Sequence, residues 1–170
     1  MRVAGGSLKG RELVYPRSGL RPTKGVTRQA VFNVVGELVR GARVLDLFAG
    51  AGALGIEAIS RGAASCVFVE RSPAVLRFLR RNIAELPGVE VRAGDVRRLA
   101  ARLAGREFDL ILADPPYDAG LVQTTLDLVG EHRLLAEGGM IAVEHSRAER
   151  PRVGRDLVLV REGRYGESRV

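Results

Sequence analysis

In 170 residues the chain has one cysteine, two histidines and no tryptophan. A lone thiol closes no disulfide within the chain, so the fold must be held by its core, and the usage suits a reducing cytoplasmic compartment. Cys66 lies in the strand-like run Ser65-Cys-Val-Phe-Val-Glu70, where a buried structural thiol is expected. His132 and His145 stand at no metal-ligand spacing, so no metal site is expected. No apolar run approaches the roughly twenty residues that cross a bilayer. The start, Met1-Arg-Val-Ala-Gly-Gly6, lacks the apolar core of a signal peptide. A soluble intracellular chain without membrane contact is the expectation. Internal repeats, low-complexity tracts and long linkers are also missing, and a chain of this length reads as one domain with room for a small appendage.

Charge is present, and its placement matters more than its sum. Of the net +7, all falls in residues 1–43, which hold nine Lys and Arg against Glu12 and Glu37; residues 44–170 balance. Such asymmetry points to a polyanion met by the amino-terminal end. Around Leu8 and Leu13-Val-Tyr15, Gly5, Gly6 and Gly10 read as a small basic hairpin. Leu20-Arg-Pro-Thr23 is expected to be extended, because the residue before proline is pushed out of the helical region. Thr27 can cap a helix through about Arg40, with Val31, Val35 and Leu38 on one face.

From residue 43 the pattern alternates strand and helix. Arg43 to Phe48 reads as a buried strand and Ala53 to Ser60 as a helix, with a glycine bend between them. Ser65 to Glu70 is the next strand, and Ser72-Pro73 opens a helix carrying Val75, Leu76, Leu79 and Ile83 at helical spacing. Val89 to Arg92, Glu107 to Ala113 and Met140 to Glu144 complete the clear strands, with helices from Val96 to Leu103 and around Val122, Leu126 and Val129. Leu157 to Val160 and Glu167 to Val170 are candidates for a closing hairpin. The alternation predicts a mostly parallel, doubly wound sheet.

Gly50, Gly52 and Gly55 match G-x-G-x-x-G, and Glu70 falls about twenty residues on, placed to accept hydrogen bonds from ribose hydroxyls. That pattern alone fits nicotinamide dinucleotides and S-adenosylmethionine alike. Asp46 sides with the second, since a carboxylate beside the bend suits an ammonium and a sulfonium but opposes a pyrophosphate. Asp95 ends the third strand, where its side chain or the Val96 backbone can meet adenine; it is also placed to cap the next helix. Asp114-Pro-Pro-Tyr117 ends the fourth strand. An exocyclic base amine is a poor nucleophile because its lone pair is delocalised into the ring. The Asp114 side chain, with the Asp114 or Pro115 carbonyl, can hold its two N–H bonds and aim the nitrogen. Neither proline can donate, so the corner presents acceptors only. Tyr117 can stack on the turned-out base.

Taken together, these motifs resemble the RsmD-type methyltransferases over nearly the whole chain. The resemblance runs through Arg2-Val-Ala-Gly-Gly6, Lys9-Gly-Arg11, Leu20-Arg-Pro-Thr23 with Arg28 and Phe32-Asn33, Leu45 to Gly50, Ser60 to Ala63, Phe68-Val-Glu70 with Asn82, and Phe108 to Tyr117. It implies a Rossmann-like, seven-stranded S-adenosylmethionine-dependent methyltransferase sheet over residues 41–170. Residues 1–40 would form a basic β-hairpin extension and a lid helix. It implies methylation of the N2 amine of a guanine in 16S ribosomal RNA (guanine 966) within an assembling small subunit, by a cytoplasmic monomer. The donor would be held by Thr23, Asp46, Phe48, Gly50, Gly52, Glu70, Asp95, Val96 and Asp114. Asp114, Pro115 and Tyr117 would act on the amine, and Arg2, Lys9, Arg11, Arg21, Lys24 and Arg28 would meet RNA. Gly25, Val26 and Gln29 depart from the family pattern. Three other functions share parts of this reading: a DNA amino-methyltransferase, a nicotinamide-dependent oxidoreductase and a non-catalytic RNA-binding assembly factor.

Overall fold

The computed structural model describes all residues except 17–24, 117–119, 155 and 166–167. In chain order the elements are α1 (Gly25–Val35), a 3-10 turn (Gly36–Val39), β1 (Arg43–Asp46), α2 (Ala53–Ser60), β2 (Ser65–Glu70), α3 (Pro73–Ile83), β3 (Val89–Ala93), α4 (Val96–Arg102), β4 (Phe108–Ala113), α5 (Leu121–Glu131), β5 (Leu135–Val143), β6 (His145–Ser146), β7 (Arg164–Tyr165) and β8 (Ser168–Arg169). Five strands form a parallel sheet in the order β3-β2-β1-β4-β5, so the winding reverses between β1 and β4. Ligands of open α/β sheets sit at that reversal, beyond the carboxyl ends of the strands.

Strand periodicity divides the core in two. Val44, Cys66, Phe68, Leu110 and Leu112 point to one face, where they meet Val31 and Val35 of α1, Leu54 and Ala58 of α2 and Leu79 of α3. Their neighbours Leu45, Val67, Val69 and Ile111 point to the other, against Val96 and Leu99 of α4 and Val129 of α5. Both faces of each central strand are thereby apolar, as a parallel sheet covered on both sides requires. Burial pushes the Cys66 thiol far up, in keeping with a packing role.

Several expectations need correcting. The parallel sheet has five strands among the described residues, not seven; β6, β8 and β7 form a separate antiparallel sheet. The amino-terminal hairpin amounts to one antiparallel bridge, Arg2 with Glu12, supported by Val3 N–H to Arg11 O at 3.0 Å and Leu13 N–H to Met1 O at 2.8 Å. Glycine-rich sequence favours turns over ladders, so the segment loops instead of pleating. The first helix ends its α-helical part at Val35 because Gly36 takes φ +56°, and a 3-10 turn carries it on to Val39. Leu157 to Val160 forms no strand, and Val158, Leu159 and Val160 are exposed. Among the described residues no helix is long and apolar enough to cross a membrane.

Candidate donor and acceptor pocket

At the reversal, the segment after β1 is stitched to both neighbouring strands. Leu47 N–H donates to Leu112 O of β4 at 2.9 Å, and Ala49 N–H donates to Val69 O of β2 at 3.0 Å. Gly52 adopts φ +94° and precedes α2 at its N-cap position, a left-handed conformation that a side chain would strain. Gly55 serves close packing instead. A Cβ there would lie 2.7 Å from Cys66 Sγ and closer still to Phe68, so its absence lets α2 lie against β2.

Two carboxylates shape this bend. Glu70 Oε2 accepts from Gly50 N–H at 2.9 Å and its Oε1 accepts from Ser72 N–H at 2.7 Å, so the acid ending β2 grips the glycine loop directly. Asp46 is buried at the end of β1. Its Oδ2 accepts from Gly55 N–H at 2.9 Å, while among the described residues its buried Oδ1 makes no full hydrogen bond, with the Phe48 N–H nearby. Burial pushes the Asp46 carboxyl up to about 7; the Gly55 and Phe48 N–H groups oppose that rise, and the nearby Asp114 and Glu70 carboxylates add to it. Asp114 is thus within electrostatic reach of Asp46. The register agrees: Asp46 pairs with Leu112, two residues before Asp114 on the adjacent strand. Pro115 is buried and Pro116 exposed, while Tyr117 lies outside the described residues.

Gly94 N–H donates to Glu70 O at 2.9 Å, which fastens the end of β3 beside the bend. Asp95 caps α4, its Oδ1 accepting from Arg97 N–H at 2.9 Å, and Val96 is buried. Phe48 is half-buried against Leu45, Leu47 and their neighbours. Arg2 and Lys9 are exposed, and half-buried Arg11 donates to Asn82 O at 3.0 Å. Thr23, Arg21 and Lys24 lie outside the described residues. Arg28, expected at the RNA surface, is 3% exposed. Its Nε stands 3.3 Å from Glu57 Oε2 and its Nη2 donates to Arg2 O at 2.6 Å. Such a guanidinium holds the amino-terminal segment and is not free to meet phosphate.

Three contributors have no role assigned by sequence pattern: Tyr15, Glu57 and Asn82. Fully buried Glu57 also accepts from Ala4 N–H at 2.8 Å and from Arg61 Nε at 2.9 Å. Its position between Leu54 and Ala58 on the apolar side of α2 is the available signal. Tyr15 is pushed up to about 12, chiefly by burial; Arg28 opposes the shift, and the Asp46 and Asp114 carboxylates add to it. The amino-terminal segment therefore lies within electrostatic reach of the two acids.

The chain is similar to known proteins along its whole length. The family model described as conserved hypothetical protein 95 matches residues 1–170. The ribosomal RNA small subunit methyltransferase D of Escherichia coli K12 is 36% identical over 146 residues, spanning 85% of this chain and 74% of that protein. The YlbH protein of Bacillus subtilis is 39% identical over 173 residues, covering 98% and 94% of the two chains. Among solved structures, the yhhF protein of Escherichia coli superposes with a TM-score of 0.90 at 34% identity, covering 99% of this chain and 94% of that one.

Proposed function

This chain belongs to the family that includes ribosomal RNA small subunit methyltransferase D, and on that premise we propose that it methylates a guanine N2 amine of 16S ribosomal RNA, guanine 966, in the assembling small subunit. The donor is S-adenosylmethionine. One observation carries the choice of donor: a buried carboxylate beside a glycine bend, with one oxygen that makes no full hydrogen bond among the described residues. An ammonium supplies the missing donor and charge, whereas a pyrophosphate would face a like charge. The residues therefore fit the group. Asp46 receives the ammonium, Glu70 the ribose hydroxyls, and Asp95 with the Val96 backbone the adenine; Thr23, Phe48, Gly50, Gly52 and Asp114 complete the lining. Bound there, the sulfonium offers an electrophilic methyl group.

The acceptor side follows from the corner after β4. The Asp114 carboxylate and the Asp114 or Pro115 carbonyl accept the two N–H bonds of the amine, which directs its lone pair outward. Alignment and preorganised acceptors give the rate, since a methylated cationic amine is acidic enough to lose its proton without a strong base. Tyr117 stacks on the base. Arg2, Lys9 and Arg11, together with Arg21 and Lys24, contribute phosphate contacts that need no base sequence.

Mass spectrometry of 16S ribosomal RNA from a deletion strain tests this reading. It predicts one missing N2-methylguanine, restored by the intact gene; an unchanged methylation pattern rejects it. Titration with S-adenosylhomocysteine and with NAD separates the oxidoreductase alternative, since only the first should bind.

A further inference from the structure

Asn82 occupies the last turn of α3, 4% exposed, and its amide bonds to two loops. Its Oδ1 accepts from Val14 N–H at 2.9 Å, and its Nδ2 donates to Val14 O at 3.0 Å and to Ala51 O at 2.9 Å. The amide orientation is forced: turned over, it would set an NH2 against an N–H and its oxygen against two carbonyls. Ala51 lies between Gly50 and Gly52 in the donor bend, and Val14 precedes Tyr15, which is near enough to Asp46 and Asp114 to feel their charge. Arg11 of the same segment docks on the Asn82 carbonyl. One side chain therefore joins the bend under the donor to the segment beside the acceptor corner, with both of its N–H donors committed.

Resting on the function proposed above, we infer that Asn82 is a positioning residue that sets the donor bend and the amino-terminal wall of the acceptor site as one unit. A side chain that only filled space would add stability and leave both affinities alone. A link of this kind makes donor and RNA binding depend on the same residue, because losing the Ala51 bond frees the bend while losing the Val14 pair frees the wall. Preorganised geometry of this sort lowers the ordering cost of each binding event.

The test compares Asn82→Ala and Asn82→Asp with Ile83→Ala. The aspartate keeps the acceptor for Val14 N–H and loses both donors. Ile83 is a buried core neighbour without these bonds. Three quantities are read below the melting temperature: the S-adenosylhomocysteine Kd, the KM for small ribosomal subunits from a deletion strain, and kcat. Both Asn82 variants should raise the Kd and the KM at least fivefold, while Ile83→Ala shifts stability and changes each by less than twofold. An Asn82→Ala protein that melts lower yet keeps both constants within twofold, or moves only one, overturns the proposal. Hydrogen exchange on the wild-type chain gives a readout independent of any variant's folding. S-adenosylhomocysteine should slow exchange of the Val14 amide, and unchanged exchange there in a chain that binds the ligand also overturns it. A wild-type chain that binds no S-adenosylhomocysteine would instead fail the functional reading, and the proposal with it.

Discussion

Asp46 offers a direct handle on the pocket, because its carboxyl titrates near neutrality. In the ligand-free protein burial raises it to about 7, from an ordinary value of 3.8. An ammonium ligand favours the ionised form, so donor-site affinity should follow the ionised fraction. That fraction is about 9% at pH 6 and about 91% at pH 8, which gives roughly a tenfold gain in S-adenosylhomocysteine affinity across the interval. In Asp46→Asn the amide oxygen can still accept from Gly55 N–H, but the charge is gone, and the slope should largely disappear; titration of the ligand itself is common to both proteins. Stability must move the opposite way. A folded value above the unfolded one means that the contribution is full below pH 3.8 and is lost as pH rises through about 7, on the order of 4 kcal/mol at most. The melting temperature of Asp46→Asn relative to wild type should therefore climb between pH 4 and pH 8. Calorimetric titration and thermal unfolding over that range measure both trends. A wild-type affinity that is flat with pH, or an equal slope in the variant, refutes the assignment of Asp46 to the ammonium.

Other perturbations probe the scaffold and the basic end. Glu57→Leu leaves the buried Arg28 guanidinium without its carboxylate, which should cost about 3–5 kcal/mol and lower the melting temperature by roughly 6–20 °C; Arg28→Met in the same chain should recover part of the loss. Gly55→Ala sets a methyl against Phe68 and Cys66, and circular dichroism melts should show a loss of about 1–3 kcal/mol. Arg2→Ala and Lys9→Ala each remove one exposed cation, so RNA affinity should fall and its log–log salt slope should shrink by about 0.7–0.9 per side chain. An unchanged slope would place the RNA elsewhere.

The parts of this molecule that are written in local pattern are legible in the sequence itself. α2 and β2 fall on the expected bounds because apolar spacing, glycine and proline mark them within a few residues. Asp46 and Glu70 can be placed at the bend because strand ends are marked in the same way. What the sequence conceals depends on partners far along the chain. Arg28 reads as a surface cation until Glu57 is found facing it from α2. Asn82 gains meaning only when Val14 and Ala51 meet over it. Leu157 to Val160 has strand composition, yet composition describes fit to a pleated surface and cannot supply a neighbour to pair with. Asp95 allows two readings, and the cap on α4 is the one with a visible bond; its second oxygen keeps acceptor capacity for the other.

In the proposed reaction Asp114 acts chiefly on the amine and supplies only a minor part of the donor lining. Transfer of labelled methyl from S-adenosylmethionine to undermethylated small ribosomal subunits, measured beside S-adenosylhomocysteine affinity for wild type and Asp114→Ala, tests it most directly. Asp114→Ala should abolish transfer while donor affinity stays within a fewfold. Transfer at the wild-type rate, or loss traceable wholly to donor binding, would contradict it.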